Sequence, residues 1–324
     1  MSTFTLTQIP AVSLPSTLSY ANLAAAIRQF EIATANGVTR KTRRLTAKLI
    51  PTLARNPYSM VMMTQENSNP KLAKVGRPQA AEYATLSLSL APADMAGIDL
   101  CPKRSAACTA GCLGHNSGHS VMGKNAANDR STMTPVRSAR IRRTQALFGA
   151  NLNVGYNAIE SITAEIESFV KRCAKRGILP AVRMNAFSDI VWEKVWPELF
   201  TRFPMIKFYD YTKIAKRMES ALPANYSLTL SRSENNESEI LLTMSQKRGN
   251  VAVVFGVKNP ADIPSTWNGY QVIDGTADDM RFLDKPNTIV GLSWKGPTSK
   301  TAYTNSLNSA IASGFAVAVS SVSL

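Results

Sequence analysis

The sequence reads as an α/β protein, a parallel-strand (β/α) barrel-like domain with an N-terminal helical extension. Three observations predict this. Short apolar runs alternate with helical segments through the C-terminal half, a basic helical stretch of different character precedes them, and 324 residues can bury a large core. Strands alternating with helices imply a parallel sheet with right-handed crossovers.

Residues 20–35 place Leu23, Ala26, Ile27, Phe30 and Ala33 at helical spacing. Thr39-Arg40-Lys41-Thr42-Arg43-Arg44 opens a second helix carrying Leu45, Leu49 and Leu53, which Pro51 kinks or ends. Residues 65–80, rich in Asn, Pro, Lys and Gly, read as a loop. The chain therefore divides into a basic helical element, 1–80, and an α/β domain, 81–324.

Thr85-Leu86-Ser87-Leu88-Ser89-Leu90 alternates strictly, the signal of a half-buried strand. Helices are predicted over 135–148, with proline in the first turn, and over 157–176, with Ile159, Ile162, Ile166 and Val170 on one face. Strands follow at 179–184, 205–209, 226–230, 251–255, 270–273, 288–292 and 315–322. Helices at 190–203, 213–221 and 237–247 separate the first of them. Trp192 and Trp196 are expected to pack in the core, and Tyr209 and Tyr211 to be available for stacking on a base.

Composition bounds the function. No apolar run approaches the roughly 20 residues of a membrane span, and residues 1–19 lack the pattern of a signal peptide. A cytoplasmic protein with no membrane partner is expected. Lys+Arg of 37 against Asp+Glu of 22 gives a net charge of +15, an excess that attracts polyanions and makes affinity for nucleic acid salt-dependent.

The four cysteines are too few for a disulfide framework, and three of them stand with both histidines in residues 101–119. Cys101, Cys108, Cys112, His115 and His119 follow the pattern C-x6-C-x3-C-x2-H-x3-H, with Gly111, Gly114 and Gly118 between them. Thiolate and imidazole suit four-coordinate zinc, and three thiolates can also hold an iron–sulfur cluster with one iron open. The spacing matches neither a zinc-finger knuckle nor the radical S-adenosylmethionine run, so zinc and iron–sulfur both stay open. The three thiolates are the expected core of the set, with His115 and His119 as alternatives for the remaining position. Cys173, on a helix among Lys171, Arg172 and Lys175, reads as a packed helix residue.

Parallel α/β folds gather their chemistry at the carboxyl ends of the strands. Here Arg183, Asp189, Asp210, Lys213, Arg232, Asp274 and Lys295 end or follow apolar runs. If these ends share one rim, Asp189, Asp210 and Asp274 supply a base or nucleophile, while Arg183, Lys213, Arg232 and Lys295 hold phosphate. Arg137, Arg140 and Arg143 on the 135–148 helix could contact the polyanion. Ser188 and Thr212 read as caps of the helices that follow them.

Several linked motifs resemble one family. They are Cys-Pro…Cys…Cys-Leu, then Val136-Arg137-Ser138-Ala139-Arg140…Arg143-Thr144, then Ser188-Asp189-Ile190-Val191-Trp192-Glu193. Phe208-Tyr209-Asp210-Tyr211-Thr212-Lys213, Leu228-Thr229-Leu230-Ser231-Arg232-Ser233-Glu234 and Val272-Ile273-Asp274-Gly275 continue the series, which runs to Lys295-Gly296. As a set, over roughly residues 84–296, they resemble the "gene product 88"-like bacteriophage proteins. The resemblance implies a phage origin, a site of action in the infected bacterial cytoplasm, and one α/β domain containing the cysteine segment. It implies no particular reaction. DNA-guanine transglycosylases also join a barrel, catalytic aspartates and a cysteine-bound zinc, but that is an analogy of fold, and their cysteine spacing differs.

Three readings follow. The first is an enzyme acting on nucleic acid, DNA ahead of RNA, or on a nucleotide, with DNA base modification as one form of it. The second is a non-catalytic nucleic-acid-binding protein with a structural zinc. The third is an iron–sulfur redox or radical enzyme acting on a phosphorylated substrate.

Overall fold

A computed structural model describes residues 61–65, 76–116, 134–148, 158–297 and 299–319. Its strands are β1 (Met63–Gln65), β2 (Tyr83–Leu88), β3 (Leu179–Arg183), β4 (Lys207–Thr212), β5 (Tyr226–Ser231), β6 (Asn250–Phe255), β7 (Thr266–Trp267), β8 (Tyr270–Asp274) and β9 (Ile289–Ser293). The helices are α1 (Ala106–Ala110), α2 (Leu113–Asn116), α3 (Pro135–Phe148), α4 (Ala158–Arg176), α5 (Trp192–Val195), α6 (Glu198–Arg202), α7 (Glu237–Ser245) and α8 (Lys300–Ala312). The N-terminal helices expected over 20–35 and after Thr39 lie outside the described residues.

The strands form one nine-stranded sheet in the order β1-β2-β3-β4-β5-β6-β9-β8-β7. Pairing is parallel from β2 through β8, and antiparallel for the edge strands β1 and β7. From β2 to β6 the chain steps one strand at a time in one direction. Right-handed crossovers then place the intervening helices on one face. After β8 the chain steps back to set β9 beside β6, and the same handedness sends residues 275–288 across the opposite face. There Met280 accepts a contact from Thr85 Oγ1 at 3.6 Å, and Phe282 meets the Tyr209 ring edge-on at 5.4 Å.

That backward step corrects the expected barrel. The sheet is open, because the strand order reverses after β6 and the two antiparallel strands end it on either side. The sheet also takes in residues ahead of 81: Glu165 of α4 accepts the N–H groups of Met62 (2.8 Å) and Met63 (3.0 Å) and fixes β1 at the edge.

The largest core lies between the sheet and its helical face. Ile162, Ile166, Phe169, Val170 and Cys173 of α4 recur at helical spacing and pack with Leu86, Leu88, Val182 and Phe208. Burying each large apolar side chain there contributes about 1.5–3 kcal/mol. Cys173 is 1% exposed within this core, the packed residue the sequence suggested. Trp192 and Trp196 are also fully buried, as expected.

Several predicted elements change form. The alternating β2 segment is buried on both faces rather than one, because the 275–288 crossover covers Thr85 and Ser87. The helix expected over 190–203 splits into α5 and α6, since Pro197 cannot continue it and Trp196 is driven out of helical geometry, at φ −146°. Residues 213–221 shrink to the 3-10 turn Ala215–Glu219. Of the strand expected over 315–322, the described part makes one bridge, between Val317 and Phe255, while 320–322 lie outside the described residues; α8 stands before it.

Candidate functional site

The cysteine segment lies across the carboxyl ends of the parallel strands. Its first turn is locked locally: Asp99 Oδ1 accepts the Cys101 N–H (2.9 Å), Arg104 returns to Asp99 (3.1 Å), and Ser105 caps α1 by accepting the Cys108 N–H (3.0 Å). Four loops then hold it. The Cys101 thiol donates to the Phe187 carbonyl (3.5 Å), and the Asp189 N–H donates to the Leu100 carbonyl (2.8 Å), both in the loop after β3. Glu234, after β5, accepts the Ala107 N–H at 3.3 Å.

The glycines serve close approach. A Cβ on Gly111 would fall 2.8 Å from Trp294 Cη2, after β9. One on Gly114 would fall 2.9 Å from Pro92 Cγ, after β2, and 3.1 Å from the Phe187 ring. From α3, Arg140 donates to the Gly114 carbonyl (2.7 Å) and lies 4.0 Å over the Phe187 ring. His115 falls in α2. Gly118 and His119 lie outside the described residues.

Cys101, Cys108 and Cys112 are all partly exposed and lie within one short stretch, α1 and the turns on either side of it. Burial pushes the Cys101 thiol well above its ordinary range, and Cys112, Asp189 and Cys108 push it the same way against the Ala93 N–H. Cys101 therefore stays a neutral thiol unless a bound cation displaces its proton. Two arginines stand near. Arg104 senses Cys101 among its acidic neighbours, and Arg140, lowered to about 10 by burial, is favoured in its charged form by Cys112. Among the described residues, no three His, Cys, Asp or Glu side chains already stand in the arrangement of a metal site.

Asp189 and Asp210 belong to one buried network on the helical face. Asp189 accepts from the Lys213 N–H (2.7 Å) and from Arg217 (3.1 Å). Arg217 continues to Glu193 (2.7 Å) and to the Tyr226 hydroxyl (2.9 Å), and that hydroxyl donates to Asp210 (2.9 Å). Asp210 also accepts the Asn185 N–H at 2.6 Å, while Asn185 Oδ1 gathers Ser188, the Ile190 N–H and Trp192 Nε1. Burial pushes the Asp210 carboxyl up to about 7, against the pull of Asn185, Arg183 and Tyr226. Burial likewise raises Asp189, opposed first by Arg217. Ser188 thus braces Asn185, and Thr212 accepts the Ile214 N–H at 3.1 Å within the turn; the helical turn Ala215–Glu219 begins after Ile214 without a side-chain cap, so neither residue caps a helix.

The single rim expected from the sequence does not form. Side chains alternate along a strand, so Arg183 and Tyr211 face away from Asp210. Arg183 pairs with Asp279 at 2.8 Å and lies 4.9 Å over the Tyr211 ring. Beside it, Arg77 and Arg281 pair with Asp278 and Asp284. Tyr209 is fully buried against Phe282 and has no face open to a base. Arg232 binds Glu237 (2.6 Å) and the Gly314 carbonyl (2.8 Å). Asp274 closes an exposed turn by accepting from Thr276 N–H at 2.7 Å. Lys295 is exposed after β9. Arg137 is buried, and Arg143 is turned onto the Val61 carbonyl and Thr64. Of the strand-end residues expected at one rim, Asp189 is bonded to the cysteine segment, and Lys213 joins it through its main-chain N–H to Asp189.

Arg217, Glu193 and Tyr226 were not legible as site residues, since nothing in their spacing marks them. Asn185 and Glu234 follow apolar runs, which is the signal by which they could have been found.

The model of the family described as Gene product 88 matches residues 61–317. The chain belongs to the Gene product 88 family. The family match starts at the edge strand β1, takes in every strand of the sheet and the whole cysteine segment, and ends at the Val317 bridge. Comparison with curated proteins gave no match, and neither did comparison with solved structures. Among the described residues, no helix of this Gene product 88 protein is long and apolar enough to cross a membrane.

Proposed function

We propose that this protein is a phage-encoded enzyme acting on nucleic acid or a nucleotide, DNA base modification included, with a metal or iron–sulfur cluster held by Cys101, Cys108 and Cys112. The observation that carries the reading is that one short segment brings Cys101, Cys108 and Cys112 to the carboxyl edge of the parallel sheet, where Cys101 hydrogen-bonds Phe187 and the adjoining Leu100 hydrogen-bonds Asp189. Such a donor set suits zinc or an iron–sulfur cluster, because a bound cation would deprotonate the thiols and stabilise the thiolates so formed. The segment must tighten to reach ligand geometry, and His115 or His119 is available for a fourth position. Bound there, zinc or a cluster would supply Lewis-acid or electron-transfer chemistry. The chain's own part is positional: Arg217 and the Lys213 N–H hold Asp189 beside the thiols, where it is the best-placed base. The net charge of +15 supports a polyanionic partner.

Elemental analysis and an absorption spectrum on protein purified without oxygen test this. Iron with visible absorption supports a cluster, and about one zinc per chain without colour supports zinc. Either must be lost in Cys101→Ala, Cys108→Ala and Cys112→Ala. Protein with protected thiols and neither metal nor chromophore overturns the reading. Tight, salt-sensitive binding without turnover, with zinc present, would leave the non-catalytic alternative.

A further inference from the structure

We infer that Lys213 and Ser231 form the site that grips the phosphate of the ligand, beside the cysteine segment. The inference rests on the reading above for the class of ligand, and narrows it to a phosphate group and two named side chains.

Lys213 follows β4 and Ser231 ends β5, the adjacent parallel strand, so both stand at the same edge of the sheet. The Lys213 ammonium donates to Ser231 Oγ at 2.9 Å. Lys213 is half-buried, and the buried cations near it are matched by carboxylates: Arg183 by Asp279, Arg217 by Asp189 and Glu193, and Arg232 by Glu237. Among the described residues, no carboxylate stands at ion-pair distance from Lys213 Nζ. The Asp189 carboxylate, which feels the Lys213 charge, is already engaged: one oxygen accepts the Lys213 main-chain N–H and the other accepts from Arg217.

The pair is also held ready. The Asp189 bond anchors the Lys213 backbone, and Asn236 fixes the loop after β5 by donating to the Ser231 carbonyl (3.1 Å) and accepting the Ser233 N–H (2.8 Å). Because Ser231 Oγ accepts from Lys213, its own proton is left to donate. Two ammonium protons and one hydroxyl proton are thus presented from neighbouring strand ends, a set suited to phosphate oxygens. Contacts link the pair to the cysteine segment. The Phe315 ring lies 5.9 Å from Lys213 Nζ and meets Trp294 edge-on at 6.2 Å, and Trp294 in turn touches Gly111.

The test is calorimetric titration of the full chain, as purified without oxygen, with inorganic phosphate, and separately with a deoxynucleoside monophosphate, at low salt. Metal content is measured on the same samples, so loss of phosphate binding with metal retained and absence of metal with phosphate binding retained are told apart. Saturable binding is expected, weakened about tenfold or more in Lys213→Gln and several-fold in Ser231→Ala. Lys216→Gln, which removes an exposed charge from the same segment, should bind as the parent does. The Ser231→Ala arm decides the matter should Lys213→Gln fail to fold. No saturable binding by the parent, or full binding by both Lys213→Gln and Ser231→Ala, overturns the inference. So does an equal loss in Lys216→Gln, which would mean net charge alone. Tighter binding of the nucleotide than of inorganic phosphate, with both weakened by Lys213→Gln, places the nucleotide's phosphate on this pair.

Discussion

Arg217 Nη1 lies 3.1 Å from Asp189 Oδ1, and through that contact the carboxylate beside the cysteines is tied to the interior of the sheet. The same guanidinium reaches Glu193 at 2.7 Å and Tyr226 at 2.9 Å, and it is nearly inaccessible to water. Arg217→Met would leave Asp189 and Glu193 buried without their cation. Breaking a buried pair from one side costs about 3–5 kcal/mol. A lower urea midpoint of that size is expected, with an unchanged slope; a shift under about 0.5 kcal/mol would show the network to be relaxed in solution.

Asp210 sets a dependence of stability on pH. Its folded-state value of about 7 stands above the ordinary carboxylate range, so the folded protein holds a proton that the unfolded chain releases. Stability from this group is fully present below about pH 4 and is lost as pH rises through about 7. Asp189, also raised by burial, acts in the same direction. Asp210→Asn removes the titration at this position. Urea midpoints at pH 5 and pH 8 should therefore fall more for the parent than for the variant, by roughly 2–4 kcal/mol. Equal slopes in the two proteins would place the Asp210 titration back in the ordinary range.

The parts of this architecture that depend on local pattern could be read from the sequence. Apolar runs marked β3, β5, β6 and β9, and Ile162, Ile166 and Val170 marked α4. The cysteine segment stood out by residue type. What could not be read depends on non-local choices. Nothing near residue 289 announces that β9 inserts between β6 and β8, yet that step opens the sheet and puts Arg183 and Asp279 on the far face. Nor does spacing reveal that Trp294, nearly two hundred positions away, fills the space beside Gly111. α8, with the sequence Lys-Thr-Ala-Tyr-Thr-Asn-Ser-Leu-Asn-Ser-Ala-Ile-Ala, buries Ala310 fully and little else, so its apolar stripe was too thin to see.

The Gly111 contact is itself testable. An alanine Cβ would stand 2.8 Å from Trp294 Cη2 and 3.3 Å from Cζ3, and the indole is hemmed by Phe315 and by Gly296. Overpacking of this kind costs about 1–3 kcal/mol. Gly111→Ala should lower the melting temperature by several degrees, and Trp294→Leu in the same chain should restore part of the loss. If the two losses simply add, the segment does not rest on Trp294.

Arg183 distinguishes a structural cation from a ligand-binding one. It pairs with Asp279 at 2.8 Å beneath the 275–288 crossover, on the opposite face from Asp210 and Asn185. Arg183→Met removes the Asp279 carboxylate's ion-pair partner at 2.8 Å, leaving it the Tyr209 hydroxyl and the more distant Arg281, and is expected to cost about 3–5 kcal/mol of stability. Adding Asp279→Leu removes the buried negative charge, so the double variant should regain much of that loss. Phosphate affinity should be unaltered in the double variant, because the proposed phosphate contacts, Lys213 and Ser231, keep their hydrogen bond of 2.9 Å at the edge of β4 and β5. A double variant that folds stably but no longer binds phosphate would move the anion site to the Arg183 face and displace Lys213 from the role assigned to it.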